Sequence, residues 1–455
     1  MVGFDTAAGA STRRTAAWRP GASKRTLQNS TAATDFGNLD SRGLASLFVF
    51  CTAAYIGIYA FEAPLRYVLY LCGKDNYIFL RDALILGPLA VLLAAQALRL
   101  RIHPAYFVFG ALIVFHGLVL MGTIGDAIAV AYAMKIVANV LCGFFLASLL
   151  VSPGKKLLTF MVVIWCVALI GLCLDKFFVT FPWTGIKTII GNLNVDVSKN
   201  WEIQDPLARR VAGFARSSIS AAILVPLLGI VIMSHVRTWR LRVVVGAASC
   251  AAVFLTTQKG SILALIPVVA ILCLPPSRRP ALLRFCCVVF MVACVALPLV
   301  TLGLYFAHGT GVFSTQSIFL RIADTWPDAW QWILHHQMLV FGVGLGGIGG
   351  PQRLYAINSF NPADNFFILM YAYFGAFAVL YLLFICGLML RPVIGSKERA
   401  TAATAVLAFL LGYGTVLSLV EDQLAALFLG AAIGALWRET RRSLRVGVRA
   451  AAFAT

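Results

Sequence analysis

Twelve apolar stretches, each near the ~20 residues an α-helix needs to cross a bilayer, decide what this chain can fold into. They fall at about 44–61, 82–98, 104–123, 127–150, 157–175, 217–235, 240–257, 260–276, 281–306, 365–390, 400–419 and 421–437. A soluble core cannot bury so many long apolar runs. Charged residues make up only 12% of the 455, against roughly 25% in soluble chains, and the mean hydropathy is +0.88. A soluble enzyme, a disordered scaffold and a coiled coil are excluded. The expected fold class is an all-α polytopic membrane protein with about 12 transmembrane helices.

The formal net charge is +19, from 37 basic and 18 acidic residues, and taken bare it suggests a nucleic-acid partner. Position overturns that reading. With the N-terminus in the cytoplasm, the cytoplasmic segments hold 24 basic residues and five acids: Asp5, Asp35, Asp40, Glu398 and Glu439. The opposite face holds 12 basic and 13 acidic residues, and Lys135 lies inside the fourth stretch. This is the positive-inside pattern, and it places both termini in the cytoplasm. The expected partner is therefore the lipid bilayer, with no nucleic acid.

Residues 1 to about 43 are polar and lack apolar periodicity, as expected of a disordered basic cytoplasmic tail without the apolar core of a cleaved signal peptide. Residues 44–437 form the expected transmembrane domain, and 438–455 a second basic cytoplasmic tail. Two external loops are long, about 176–216 and 307–364. Loops of this length without obvious strands are usually functional, so the chemistry is expected there.

Several motifs carry little. The eleven cysteines lie almost entirely in apolar runs as small hydrophobes, with no ligand spacing. Gly342-Val343-Gly344-Leu345-Gly346-Gly347 matches a dinucleotide fingerprint, but no strand–helix context surrounds it. A tight turn bringing backbone N–H groups near a ligand is the expected role. His335 and His336 read as solvated. Glu421-Asp422 is a carboxylate pair without a third ligand in sequence, so no metal and no cofactor is expected.

The informative charges lie on the outer face near the ends of the spans: Arg209, Arg210, Arg216, Lys259, Arg321 and Asp364. Charges at a bilayer boundary are costly unless paired or solvated. Arg forks bind phosphate oxygens bidentately, and a lone carboxylate accepts a proton from a hydroxyl. The set suits attack by an alcohol on a lipid-diphosphate-linked sugar. The alternative stays open that these cations pair with lipid headgroups or with Asp196, Glu202, Asp205 and Asp324.

Four patches from about residue 207 to 385 extend this reading: Arg210-Val211-Ala212-Gly213-Phe214; Thr257-Gln258-Lys259-Gly260-Ser261; Arg321 with Trp326, Trp330 and Phe341-Gly342-Val343-Gly344-Leu345-Gly346; and Asp364-Asn365, nine residues, then Gly375-Ala376-Phe377-Ala378. In this order they resemble the O-antigen ligase/polymerase superfamily of integral membrane glycosyltransferases. Lys259 stands where that family usually has Arg, and Asp364 where its ligases have His. The first 200 residues match only in span pattern.

The resemblance implies a GT-C-like architecture in a bacterial inner membrane, with the active site facing the periplasm and both long loops periplasmic. It implies a metal-independent glycosyltransferase using an undecaprenyl-diphosphate-linked oligosaccharide. Asp364, Arg321 and Arg216 would be catalytic. Arg209, Arg210, Lys259 and Asn365 would bind substrate, with Trp326 and Trp330 either stacking on sugars or packing at the interface. Asp-Asn at this position resembles the polymerase branch, which joins repeat units of an exopolysaccharide or O-antigen, with a chain-length regulator and a flippase as partners. A ligase passing finished glycan to a lipid A-core acceptor is the alternative. From another class, a lipid-linked oligosaccharide flippase would show internal repeats and broken helices with midplane charges.

Overall fold

The chain is built from helices that start where the sequence offers a cap. Asp126, Ser217 and Asn365 each accept a hydrogen bond from a backbone N–H three residues on, at 2.8, 3.0 and 2.9 Å, and a long apolar run follows each. The computed structural model describes residues 42–98, 104–190, 193–199, 209–306, 314–336, 339–391 and 397–452. Most of the expected 1–43 tail, with Glu202 and Asp205, lies outside the described residues.

In chain order the helices are α1 Arg42–Ala60, α2 Glu62–Leu71, α3 Leu80–Leu98, α4 Pro104–Thr123, α5 Ala127–Phe145, α6 Ala147–Val151 and α7 Lys155–Phe177. After a hairpin of β1 Lys187–Ile190 and β2 Leu193–Asp196 come α8 Ser218–His235, α9 Trp239–Leu255, α10 Lys259–Cys273 and α11 Arg279–Val300. A short α12 Gln316–Leu320, a π-helical turn Arg321–Thr325 and α13 Trp326–His335 follow. The series ends with α14 Phe366–Phe374, α15 Phe377–Leu390, α16 Lys397–Gly414 and α17 Gln423–Ala452.

Among the described residues, five helical segments are long and apolar enough to cross a membrane: 75–98, α5, α7, α8 and α11. The pair α1–α2, bent by 78° at Phe61, makes a sixth if taken as one span. Large apolar side chains stand exposed along the outer helices, including Phe50, Ile128, Leu263 and Phe285 at 66–70%. A patch of that extent would be a liability in water and suits lipid. The chain is thus an all-α membrane protein with almost no sheet.

A helix lies in each of the twelve expected stretches, of which five, or six with the bent pair, are long and apolar enough to span, and the layout departs from expectation at four places. Stretch 127–150 breaks at Leu146 into α5 and α6. Stretch 365–390 breaks at Gly375, whose φ of +57° ends α14. The last helix runs on to Ala452, so the expected C-terminal tail begins as helix. The first long loop contains the antiparallel hairpin, Lys187 opposite Asp196, which its sequence did not announce.

Ser46–Thr455 packs as one unit around α8, 83% of whose apolar window is buried, and around α16, where residues 402–411 are all buried. The closest crossing joins α5 to α17. A Cβ on Gly143 would strike the backbone of Leu427, and one on Gly430 or Gly434 the backbone of Val140 or Phe144. Small residues at four-residue spacing let membrane helices approach this closely. Lys135, in α5, is paired with Asp82 at 2.5 Å, so this intramembrane cation is neutralised by α3.

Candidate functional site

Arg321 occupies the first position of the π-helical turn that separates α12 from α13. Single π turns inside helices occur often at functional sites because they re-aim a side chain. Its Nη1 donates to the Ser317 carbonyl at 2.9 Å and to Ser317 Oγ at 2.5 Å, while Nη2 lies 3.1 Å from Asp364 Oδ2. The buried Nε has no hydrogen-bond partner among the described residues.

Asp364 is presented by strained backbone. Ala363 and Asp364 have φ of +59° and +44°, a region L-residues rarely enter. Surrounding bonds hold the strain in place. Asn361 Oδ1 accepts from the Ala363 N–H at 2.7 Å, and Asn361 Nδ2 donates to the Thr325 carbonyl at 2.8 Å, tying the loop to the end of the π turn. Ser418 Oγ donates to the Pro362 carbonyl at 2.7 Å. Over-determined strain of this kind clusters at functional sites. Burial raises the Asp364 carboxyl above the usual aspartate range, and the Arg321 charge partly opposes that rise.

Two more expected cations join this pair. Lys259 Nζ donates to the Ser314 carbonyl, on the segment leading into α12 and Arg321. Its position at the start of α10 follows Thr257, a β-branched residue at φ +57° and the third strained residue of the region. Arg210 feels the charge of Arg321, and Lys259 feels that of Arg210; burial, then Arg321, holds the Arg210 guanidinium below its ordinary value. The Tyr413 hydroxyl, at the end of α16, interacts with Arg210, Arg321 and Asp364 and donates weakly to Gln258 Oε1 at 3.4 Å. Arg321 alone pairs with the Asp364 carboxylate; Arg210 stands within electrostatic reach of Arg321, and Lys259 within reach of Arg210.

Other expected residues have different work. Arg209 is paired with Asp175 of α7, which also accepts from the Ala212 and Gly213 N–H groups at 3.0 and 2.9 Å. Its charge shapes the turn that presents Arg210. Asn365 is fully buried; besides capping α14 it donates to the Cys294 and Thr415 carbonyls, both at 3.0 Å. It bonds backbone and has no face left for a sugar. Trp326 is also fully buried, which removes it as a stacking platform; Trp330 packs against Tyr371 and Phe367 at centroid distances of 5.3 and 6.3 Å.

The glycine loop is corrected too. Residues 342–349 are all buried, and the Val343 and Leu345 N–H groups donate to the Ala372 and His116 carbonyls. The loop is a strap between α4 and α14, and these donors are already used. A Cβ on Gly344 would collide with the Leu120 backbone, which is why glycine is needed there.

Arg216 belongs to a second group. Its Nε is 4.0 Å from Glu62 Oε1, but Glu62 is already held by Arg66 at 2.8 Å and Arg81 at 2.5 Å. The Arg216 carbonyl accepts from the Lys199 N–H at 2.8 Å. Sequence reasoning passed over Lys199, Arg353 and Tyr413 because the first two lie away from any span end and the third closes an ordinary apolar run.

No family model, curated protein or solved structure matches the chain.

Proposed function

We propose that the protein is a glycosyltransferase of the polymerase type, joining lipid-diphosphate-linked oligosaccharide units at the outer face of a bacterial inner membrane. The single observation that carries this reading is the Arg321–Asp364 pair, presented by a π turn and a strained loop, with Arg210 and then Lys259 in electrostatic reach of it. About twelve spans with both termini cytoplasmic would put that site on the periplasmic side, as the charge asymmetry of the sequence supports.

In the proposed reaction an acceptor sugar hydroxyl attacks the anomeric carbon of the donor. A new C–O bond forms there, and the bond from that carbon to the diphosphate oxygen breaks. The hydroxyl proton passes to Asp364, whose raised affinity for protons makes it a better base than an exposed aspartate. Arg210, Lys259 and Arg321 stabilise the negative charge that grows on the departing undecaprenyl diphosphate. The activated sugar arrives on its lipid, so the reading needs no metal and no nucleotide. Transfer to a lipid A-core acceptor would use the same groups and is the ligase alternative.

A transporter remains the rival from another class. The observation that favours it is the 78° break between α1 and α2 with Glu62, 3% exposed, at the break.

The test is replacement of Asp364 and, separately, Arg321 by alanine in the native strain, followed by electrophoresis of surface glycan. A polymerase defect leaves single repeat units outside the membrane, a ligase defect leaves long glycan on the carrier lipid, and a transport defect leaves units trapped inside. Wild-type glycan from both variants at normal protein levels overturns the reading.

A further inference from the structure

A second cationic group stands near the first, with Asp196 and Glu421 in electrostatic reach but no ion pair of its own among the described residues. Lys199 follows the β1–β2 hairpin, its N–H bonded to the Arg216 carbonyl at 2.8 Å. Arg353 lies in the 3-10 turn Gly350–Leu354, over the Phe360 ring at 4.1 Å. Among the described residues no ion pair joins Lys199 or Arg353 to a carboxylate, and Arg216 has only the 4.0 Å approach to an already occupied Glu62. The Arg216 Nε is buried without a hydrogen-bond partner among the described residues.

Glu421 is the acid beside this group. Gly350 N–H donates to its Oε1, and Gly349, at φ +77°, leaves no room for a Cβ against that carboxylate. Burial pushes the Glu421 carboxyl up to about 7, so near neutral pH it offsets only part of the positive charge. Burial and the charges of Arg216 and Arg353 bring Lys199 down to about 8.

The two groups are close. Gly349 N–H donates to the Asn361 carbonyl at 3.0 Å, Ser418 Oγ donates to the Pro362 carbonyl at 2.7 Å, and Glu421 feels the charge of Asp364. An acceptor's own diphosphate lies an oligosaccharide's length from its reacting hydroxyl. With the donor's diphosphate assigned to Arg210, Lys259 and Arg321, a second anion beside Asp364 is one carried on the acceptor sugar.

We propose that Lys199, Arg216 and Arg353 form a subsite for an acidic group, a carboxylate or an acidic substituent, on the acceptor sugar that reacts at Asp364. The proposal rests on the polymerase reading and narrows its substrate to an acidic saccharide.

The test has two arms in the native strain. In the first, the glycan absent from a deletion of this gene is purified and assayed for uronic acid and, by mass spectrometry, for other acidic substituents. An acidic repeat unit is expected; a neutral one overturns the proposal. In the second, Lys199→Gln combined with Arg353→Gln is expected to cut polymer at least tenfold with accumulation of single units, and Lys199→Arg with Arg353→Lys to restore it at equal membrane abundance. Polymer unchanged in the glutamine variant overturns the proposal. So does a defect that follows phosphatidylglycerol content rather than glycan acidity, because the cations would then hold lipid headgroups. Wild-type glycan in both Asp364→Ala and Arg321→Ala sinks the polymerase reading separately.

Discussion

Arg321 Nη2 and Asp364 Oδ2 stand 3.1 Å apart, one residue presented by a π-helical turn and the other by a left-handed loop. Each backbone irregularity is a cost that ordinary helix and turn geometry would avoid, and Asn361 ties the two together through the Thr325 carbonyl.

Asp364→Asn tests the proton-accepting role with little change of shape. It removes the base but keeps an acceptor for Arg321. Losing a general base typically costs 10²–10⁴-fold, so polymer formation in membranes fed lipid-linked repeat units should fall by about that range. Asp364→Glu should recover part of it. Equal rates for wild type and the asparagine variant would show that the carboxylate does no proton transfer.

Asn365→Ala should act on stability. The change deletes the α14 cap and leaves the Cys294 and Thr415 carbonyls short of a donor in a fully buried place. Cap loss costs about 0.5–2 kcal/mol and each buried unsatisfied group about 1–3 kcal/mol. A lowered midpoint of thermal unfolding in detergent is expected, whereas Asp364→Asn, at a partly exposed side chain, should leave the midpoint within a degree or two. A midpoint unchanged in Asn365→Ala would contradict this assignment.

Apolar length and Ser/Asp/Asn caps made the helices legible in the sequence, because both are local signals. Arg321 and Asp364 were legible for a different reason: charges at the ends of apolar runs must have a use. The breaks at Leu146 and Gly375 were hidden, since the hydropathy of the two halves is continuous and only packing shows the turn. Trp326 and Asn365 looked like ligand residues because their side chains can bind sugars, and only the fold shows that theirs face inward. Lys199 and Arg353 were invisible as a pair, being 154 positions apart and joined only through the Arg216 and Glu421 segments.

The α5–α17 crossing gives a third prediction. Gly430→Ala must push a methyl group into the Val140 carbonyl, and helix backbones give way together or not at all. Overpacking of this kind typically costs about 1–3 kcal/mol, so folded protein recovered by size exclusion should fall. Gly387→Ala, where a Cβ meets nothing within 4 Å, is the control that should be neutral. A similar yield from both would mean that the crossing tolerates separation.

Glu421 gives a pH dependence with a definite sign. Its carboxyl titrates at about 7 in the folded chain against 4.5 for the ordinary group, mainly because it is buried. Between those values the folded protein binds a proton that the unfolded chain has released. Stability therefore falls as pH rises through this window, and the full penalty is present above about pH 7. Asp364 and Asp422 are raised as well, by burial first in each case, so the wild-type slope is a sum. Subtracting Glu421→Gln isolates one contribution, because the glutamine keeps an acceptor for the Gly350 N–H but never ionises. The thermal midpoint of wild type minus that of Glu421→Gln should decline from pH 5 to pH 8 and level off above it. Parallel curves across that range would mean that Glu421 is ionised throughout, and that the cations around Lys199 already have their counter-ion.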